Sequence, residues 1–489
     1  MEYSKYQNDL FAEIETQTGH IMVNATAGSG KTFSLVESMK RVKGNSIFVA
    51  FNKAIAIELG RRVPSHITTG TLHSFGLKAI HKNNGFTRVD TKKLSKIMQK
   101  VPATAFMDGM TGPEKADLFR KRQMITDLIS SWKNTLIDFN NDKQVAETAD
   151  HYSINYDPTI LGVARSIMEK SINIRNFVDF DDMIYLPVAL KYKLPTFDNV
   201  FVDECQDLNR SQIEMILGMV KKPNGRIIAV GDPKQSIYGF RGADTDAMPR
   251  IKEVLGAKEL PLSVCYRCPT SHIELAQEIV PWIESAPNAK EGIVEHITVE
   301  QFTETVDKDK EPLVLCRTNA PLISYALKLI RQGKKAHVRG ADIGAYLRGI
   351  IIGCNANSIA ELNNKIDEWE NSQLEFLTKR RASVAVQETI CDYADCMREF
   401  AKQSANPYDV VSTIDNVFSD TKEGTIFSTV HKAKGLEAET VYIIRPDLLP
   451  LIRKDQKEWE LDQEHNLKYV ALTRSTNKLV FVRHIQSKE

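Results

Sequence analysis

Long uncharged stretches are missing from this sequence. Nowhere do about 18 apolar residues run together without a charge, and the first ten residues, MEYSKYQNDL, lack the apolar core of a secretory leader. Neither a membrane-spanning helix nor export is therefore expected, and the protein should stay where it is made, in a cytoplasm or a nucleus. Cysteine is also scarce, at seven in 489 residues. An odd number at irregular spacing argues against a disulfide framework and for a reducing interior. Neither sign of charge dominates: 64 Lys and Arg stand against 63 Asp and Glu, for a net charge of +1. Bulk composition thus does not mark a nucleic-acid binder. Short-period repeats and low-complexity linkers are absent as well.

What is present is an ordinary globular composition, 42% hydrophobic and 26% charged, in a chain long enough for about three or four domains' worth of core. The charge is unevenly spread. Residues 1–100 hold 15 Lys and Arg against 7 Asp and Glu, a local balance of +8 that suits either a phosphate-facing surface or a solvated basic face.

The stretch IMVNATAGSGKT carries the first chemistry. Ile21, Met22 and Val23 read as a buried strand, which passes through Ala25, Thr26, Ala27, Gly28, Ser29 and Gly30 to Lys31, Thr32 and an amphipathic helix. Small residues let successive backbone N–H groups turn inward on an anion; Lys31 can reach terminal phosphates, and the Thr32 hydroxyl suits magnesium. A nucleoside triphosphate site is the expectation, although Ala25 stands where the general phosphate-loop pattern begins with glycine. Downstream, the strand NVFVD ends in Asp203-Glu204. This places two carboxylates at the carboxyl edge of a sheet, with Asp203 suited to magnesium and Glu204 to accepting a proton from water.

Strands are read at Ser46–Phe51, Asn199–Asp203, Arg226–Val230, Glu259–Leu262, Leu313–Cys316, Thr425–Thr429, Thr440–Ile444 and Lys478–Val482, alternating with helices. The pattern predicts an α/β protein with two mostly parallel cores in tandem, each interrupted by a mainly helical insertion. The expected boundaries are 1–77 with 178–256 for the first core, 78–177 for its insertion, 257–339 with 423–489 for the second core, and 340–422 for a second, reduced insertion. The insertion at 78–177 contains no chemical motif.

After the next strand comes GDPKQSIYGFRGA, residues 231–243. With ATAGSGKT and VDECQD it resembles the first three core motifs of superfamily 1 DNA helicases of the UvrD/Rep class, in that family's order. LSVCYR, LCRTN, STVHKAKGLEA and EHNLKYVALTRS are similar to its later motifs, and the matches span nearly the whole chain. Ala25 fits the family's AxAGSGKT form. The resemblance implies two RecA-like phosphate-loop cores that hydrolyse ATP with Mg²⁺ between them, stepping 3′ to 5′ along single-stranded DNA and opening tailed duplexes in replication, repair or recombination. Removal of proteins from DNA, or nucleotide-gated DNA binding without processive unwinding, is the alternative. It also implies a bacterial or phage-infected cytoplasm, or a nucleus in a eukaryote. Replication or repair proteins are implied as partners, and a monomer is allowed.

Residue by residue, the resemblance implies that Gln7 reads adenine, Gln235 senses the γ-phosphate, and Tyr266 stacks on the base. Arg267 would reach the γ-phosphate, Glu437 the ribose, and Arg474 would act as arginine finger. Phe51, Phe180, Tyr238 and Phe240 fall where the family stacks bases, while Asn52, Lys53, Thr71, His73, Arg241, Thr429 and His431 fall at backbone or coupling positions. From the residues alone, an aromatic after a strand reads equally as core, and a lone histidine as a buried polar group.

This sequence departs from the family in three places. Cys265 replaces a common asparagine, AFNKA is one residue shorter than TFTNKA, and Ala438 replaces a phenylalanine after GLE. The shorter form is similar to F-box DNA helicase and phage members. Cys265 and Cys268 form a CxxC with no second pair, so no metal site is expected there. With 15 residues after Arg474, no appended nuclease domain is expected.

Overall fold

Apolar runs too short for helices and bounded by polar turns become the buried strands of two parallel sheets. In the computed structural model, which describes residues 2–50, 52–152, 154, 156–239, 247–379, 384–418, 423–454 and 456–483, the chain divides into two compact units. These are residues 1–25 with 30–262, and residues 26–29 with 263–489. Among the described residues, no helix is long and apolar enough to cross a membrane.

The strands of the first unit are β1 (Ile21–Ala25), β2 (Ser46–Ala50), β3 (Ile67–Thr71), β4 (Arg88–Val89), β5 (Phe177–Val178), β6 (Asn199–Val202), β7 (Arg226–Gly231) and β8 (Lys258–Leu262). Six of them form one parallel sheet in the order β3-β2-β6-β7-β1-β8, and β4 pairs with β5. Successive side chains of the central strands feed opposite faces. Ile21, Val23, Phe48, Phe201, Ile228 and Val230 pack in one core with Leu10 and Leu35, whereas Met22, Ile47, Val49, Val200, Ile227 and Ala229 pack in the other with Phe75 and Ile216. Burial on both faces explains why these strands read as continuous apolar runs.

One boundary needs correction. The strand at Glu259–Leu262, expected to open the second core, is β8, paired in parallel with β1 at the edge of the first sheet. Its polar Lys258 and Glu259, and Pro261, which lacks an N–H, suit an edge position. The helix Leu72–Asn84 runs across residue 78, where the insertion was expected to begin. The segment beyond it is helical apart from β4 and β5, with a 24-residue helix, Gly112–Thr135, at its centre.

A buried charge cluster ties this segment to the helix Phe180–Ala189. Lys93 Nζ lies 2.5 Å from Asp182, and Lys133 Nζ lies 2.8 Å from Asp182 and 3.1 Å from Asp179. Lys93 also donates to the carbonyls of Ser171 and Ile174, at 2.7 and 3.1 Å. With its charges matched and its donors filled, the cluster escapes much of the cost of burial, and removing one member would leave an uncompensated charge.

The second unit contains β9 (Val264–Cys265), β10 (Glu284–Ser285), β11 (Ile293–Thr298), β12 (Leu313–Cys316), β13 (Ala336–Val338), β14 (Thr425–Thr429), β15 (Ala438–Ile444) and β16 (Ser475–Arg483). Its six-stranded parallel sheet runs β11-β16-β15-β12-β14-β13, and β9 pairs with β10. The fold is therefore α/β with two parallel cores in tandem. The helix Thr270–Gln277 lies between β9 and β10. The described residues of 341–417 include four helices, but Leu347, Ile351, Leu362, Ile366, Met397, Phe400 and Ile414 share one apolar core with Val338 and Phe427 of the sheet. The reduced insertion is thus built into the second core rather than standing off it. Asp392, on the helix Val384–Ala401, accepts from the Asn319 and Ala320 amides at 3.0 and 2.9 Å and so caps the helix Asn319–Arg331.

Candidate functional site

In the first unit the central strands β6, β7 and β1 lie side by side, so the residues that follow them meet at one carboxyl edge. Ala25, fully buried, ends β1. Gly30 precedes the helix Lys31–Met39 with φ +76°, a conformation that favours glycine, and no side chain caps the helix. The first turn also contains no acid, so its free N–H groups and positive dipole end suit an anion. Lys31 Nζ lies 4.0 Å from Glu204 Oε1, and the Thr32 hydroxyl donates to Asp203 Oδ2 at 2.7 Å. A contact across 171 positions of sequence thus joins the phosphate loop to the acidic strand end.

Glu204 adopts φ +52°, left-handed for a residue with a side chain, a conformation that costs about 1–2 kcal/mol. Its N–H donates to Asp203 Oδ1 at 2.9 Å, and Gln206 Nε2 donates to its carboxylate at 2.6 Å. Gln206 in turn accepts from the Asp232 amide at 3.0 Å, linking the ends of β6 and β7. Asp232 holds Gln235, whose Nε2 donates to Asp232 Oδ2 at 2.8 Å. Burial pushes the Asp203 carboxyl up to about 6, helped by the neighbouring Glu204 carboxylate, and burial likewise pushes Asp232 up to about 6. Sequence reasoning assigned no role to Asp232 or Gln206; both stand inside recognised motifs, which was the available signal. Gln7 forms a capping box with Ser4, and its Nε2 donates to Ser34 Oγ at 3.2 Å.

The second unit holds the loop residues Thr26–Ser29. The Thr26 hydroxyl donates to the Ser263 carbonyl at 3.1 Å, the Ala27 amide to the Tyr469 hydroxyl at 2.8 Å, and the Ser29 hydroxyl to the Thr26 carbonyl at 2.9 Å. The Tyr266 amide donates to the Gly28 carbonyl at 2.9 Å. A Cβ on Gly28 would stand 2.7 Å from Arg267 Cβ and 2.8 Å from Cys265 Sγ, so glycine is required there on steric grounds as well as for its φ of +66°. Tyr266 is 48% exposed. Arg267 Nε pairs with Glu437 Oε2 at 2.6 Å, bringing two expected nucleotide residues together. Arg474 is buried, and its guanidinium donates to the carbonyls of Val470 at 2.9 Å and Leu436 at 3.3 Å. An unforeseen pair joins two of the recognised motifs. Arg317, after β12, makes a forked contact with the buried Glu464, with Nε 2.9 Å from both oxygens and Nη2 2.5 Å from Oε1.

The expected DNA positions divide between the units. In the first, Asn52 is exposed and caps the helix Lys53–Gly60, whose first residue Lys53 is also exposed. Thr71 ends β3, directly beside Ala50 of β2, and caps the helix carrying His73. The His73 ring meets Phe180 edge-on at 6.0 Å, and Phe180 is 55% exposed. Asn52, Lys53, Thr71, His73 and Phe180 thus belong to one end of the sheet, and Phe180 is not core. Burial lowers the His73 pKa, partly offset by Asp181. Tyr238 is half-buried. Thr429 ends β14 in the second unit, where it is buried and accepts from the Lys432 amide at 3.4 Å; His431 follows it. Phe51, Phe240 and Arg241 lie outside the described residues.

Residues 7–255 match the family model of the UvrD/REP helicase N-terminal domain, just over half the chain, and residues 355–486 match that of the UvrD-like helicase C-terminal domain. The chain belongs to the UvrD/REP helicase family. The ATP-dependent DNA helicase PcrA of Bacillus subtilis (strain 168) is 22% identical, over 95% of this chain and 81% of its own length. The ATP-dependent DNA helicase Rep of Buchnera aphidicola subsp. Schizaphis graminum is 28% identical over 49% of this chain and 38% of its own length. Among solved structures, an arterivirus nonstructural protein 10 helicase aligns at 12% identity and a TM-score of 0.35, covering 97% of this chain and 62% of its own, a likeness too slight to carry argument. The N-terminal match of this UvrD/REP chain contains the phosphate loop, both acidic strand ends and the exposed Phe180.

Proposed function

We propose that the protein is an ATP-dependent DNA helicase that hydrolyses ATP at Lys31, Thr32, Asp203 and Glu204 and couples turnover to movement along single-stranded DNA, 3′ to 5′, separating duplexes. The observation that carries the reading is the meeting of Thr32, Asp203, Lys31 and Glu204 at one sheet edge, beside a helix N-terminus that no side chain caps.

Thr32 and Asp203 supply two hard oxygen donors in mutual contact, a set that would hold magnesium. Magnesium bound there supplies charge neutralisation of the phosphates. Lys31 and the amides of the first helical turn hold the triphosphate, and Glu204 takes the proton of the attacking water. The left-handed backbone at Glu204, fixed through Gln206 to the end of β7, keeps that carboxylate aimed without rearrangement. Gln235, fixed by Asp232, reports the state of the γ-phosphate to the segment that follows it. In the second unit, Arg267, Glu437 and Arg474 are the residues proposed to contact nucleotide. Phe180, His73, Thr71, Asn52 and Lys53 offer one exposed aromatic and several polar groups to a single strand, which needs stacking surfaces indifferent to sequence.

Strand separation on duplexes with a 3′ or a 5′ single-stranded tail tests the assignment. Opening only of the 3′-tailed substrate is expected; preference for the 5′ tail overturns the polarity. DNA-stimulated hydrolysis without any opening overturns the helicase task and leaves displacement of proteins from DNA.

A further inference from the structure

The helix Leu72–Asn84 carries His73 at one end; at the other the chain emerges into an unusually one-sided surface. Between residues 78 and 100, Lys78, Lys82, Arg88, Lys92, Lys96 and Lys100 are exposed, and the single acid, Asp90, is half-buried and paired with Lys96. Arg175, exposed on the neighbouring segment, adds another cation, since its carbonyl accepts the Thr87 hydroxyl at 3.0 Å. Between Lys82 and Arg88 in the sequence stands Phe86, 88% exposed.

A lone exposed aromatic is unremarkable on most surfaces. Phe86 differs in being held still. Its ring stacks on His81 at 5.8 Å with 22° between planes, and the His81 ring is itself held to the Thr87 carbonyl at 2.8 Å. Thr87 is buried, and the Arg88 and Asp90 amides bond the carbonyls of Asn176 and Val178 at 3.0 and 2.8 Å. The ring is thus presented to solvent from a pinned ribbon, so little conformational entropy remains to be lost on binding. The 13-residue helix places it ~20 Å from the His73 end at 1.5 Å per residue.

We propose that Phe86 and the cations around it form a second contact for single-stranded DNA in the first unit. Lys82, Arg88, Lys92 and Arg175 bind backbone phosphates, while the Phe86 ring stacks on an unpaired base. The inference rests on DNA being the protein's partner. A single strand is favoured over duplex because an isolated rigid ring needs an open base face, which a paired and stacked base does not present.

The test is fluorescence anisotropy of the full chain with labelled oligothymidylates of about 8 and about 24 nucleotides, bracketing one short binding site and a longer track. Phe86→Ala should bind the longer strand roughly ten-fold more weakly, Phe86→Trp should restore binding, and the short strand should distinguish them little. Lys82→Ala with Arg88→Ala should lower the salt slope on the longer strand by about 1.4, at about 0.7 per phosphate contact. Phe86 is solvent-exposed, so unchanged melting and unchanged ATPase activity without DNA are expected of Phe86→Ala. If the wild type binds neither strand, the DNA reading itself fails. If the wild type binds and Phe86→Ala matches it on the longer strand, this contact is refuted and the reading of the protein stands.

Discussion

Substitution of Asp203 by asparagine should stabilise the nucleotide-free protein while disabling its ATP site. Asp203 is 7% exposed, and both carboxylate oxygens are used, one by the Thr32 hydroxyl at 2.7 Å and one by the Glu204 amide at 2.9 Å. Asparagine keeps the shape and one acceptor, and the Thr32 hydroxyl can turn to accept from its amide. Burial and the Glu204 charge lift the Asp203 pKa from 3.8 to about 6. Below pH 3.8 the group is protonated folded or unfolded and contributes no difference. Between 3.8 and about 6 the folded state keeps a proton that the unfolded state has lost, so stability falls as pH rises. Above about 6 the whole penalty remains, ~3 kcal/mol at 1.36 kcal/mol per pH unit. Asp203→Asn should therefore gain up to ~3 kcal/mol over wild type at pH 8, a gain that shrinks to nothing near pH 4. Urea unfolding in magnesium-free buffer across that range measures it. With MgATP at about 100 times its Kd, the wild type should gain ~2.7 kcal/mol and the variant should gain little. A variant less stable than wild type at pH 8, or a difference that does not vary with pH, would mean that the Asp203 carboxylate carries no such burial penalty.

Phe180→Ala should leave DNA-independent ATP hydrolysis within about two-fold and weaken single-strand binding by roughly five-fold or more, the scale of one lost base stack; anisotropy and steady-state turnover read the two separately, and unchanged binding would return Phe180 to a structural role. Asp182→Asn leaves Lys93 and Lys133 buried without their shared partner and should cost about 3–5 kcal/mol, seen as a lower unfolding midpoint. Arg317→Ala strands the buried Glu464 carboxylate and should likewise destabilise the second unit, by roughly 3 kcal/mol or more in denaturant.

Much of the architecture is legible in the sequence because the central strands are buried on both faces. Ser46–Ala50, Asn199–Val202 and Arg226–Gly231 are buried at every position, so each is written as an apolar run. The edge strands have no such obligation. Ile67–Thr71 and Ile293–Thr298 are polar and partly exposed and Ala336–Val338 has only three residues, so none carries an apolar run that marks a strand; Lys258–Leu262 reads as a strand but joins the first core, not the second. At the proposed ATP site, motif spacing marks Lys31, Thr32, Asp203 and Glu204 because the chemistry demands those residue types after those strands. The supports were not announced. Gln206 reaching Asp232, Arg317 reaching Glu464 across 147 positions, and the Lys93–Lys133–Asp179–Asp182 cluster are partnerships between distant charged or polar residues, each of which reads in isolation as ordinary surface. Phe86 is the converse: a single aromatic within a basic stretch, whose rigidity only the stack on His81 reveals.

On the proposed function, the Asp203–Glu204 edge hydrolyses ATP under the control of single-stranded DNA. Steady-state ATPase activity of the purified protein, with and without a single-stranded oligonucleotide, tests it directly when run beside Lys31→Ala and Glu204→Gln. Strong stimulation by DNA is expected. Lys31→Ala should lose nucleotide binding or turnover, whereas Glu204→Gln should bind ATP and lose roughly 10²–10⁴-fold in hydrolysis. Hydrolysis indifferent to DNA, or full activity in either variant, would contradict it.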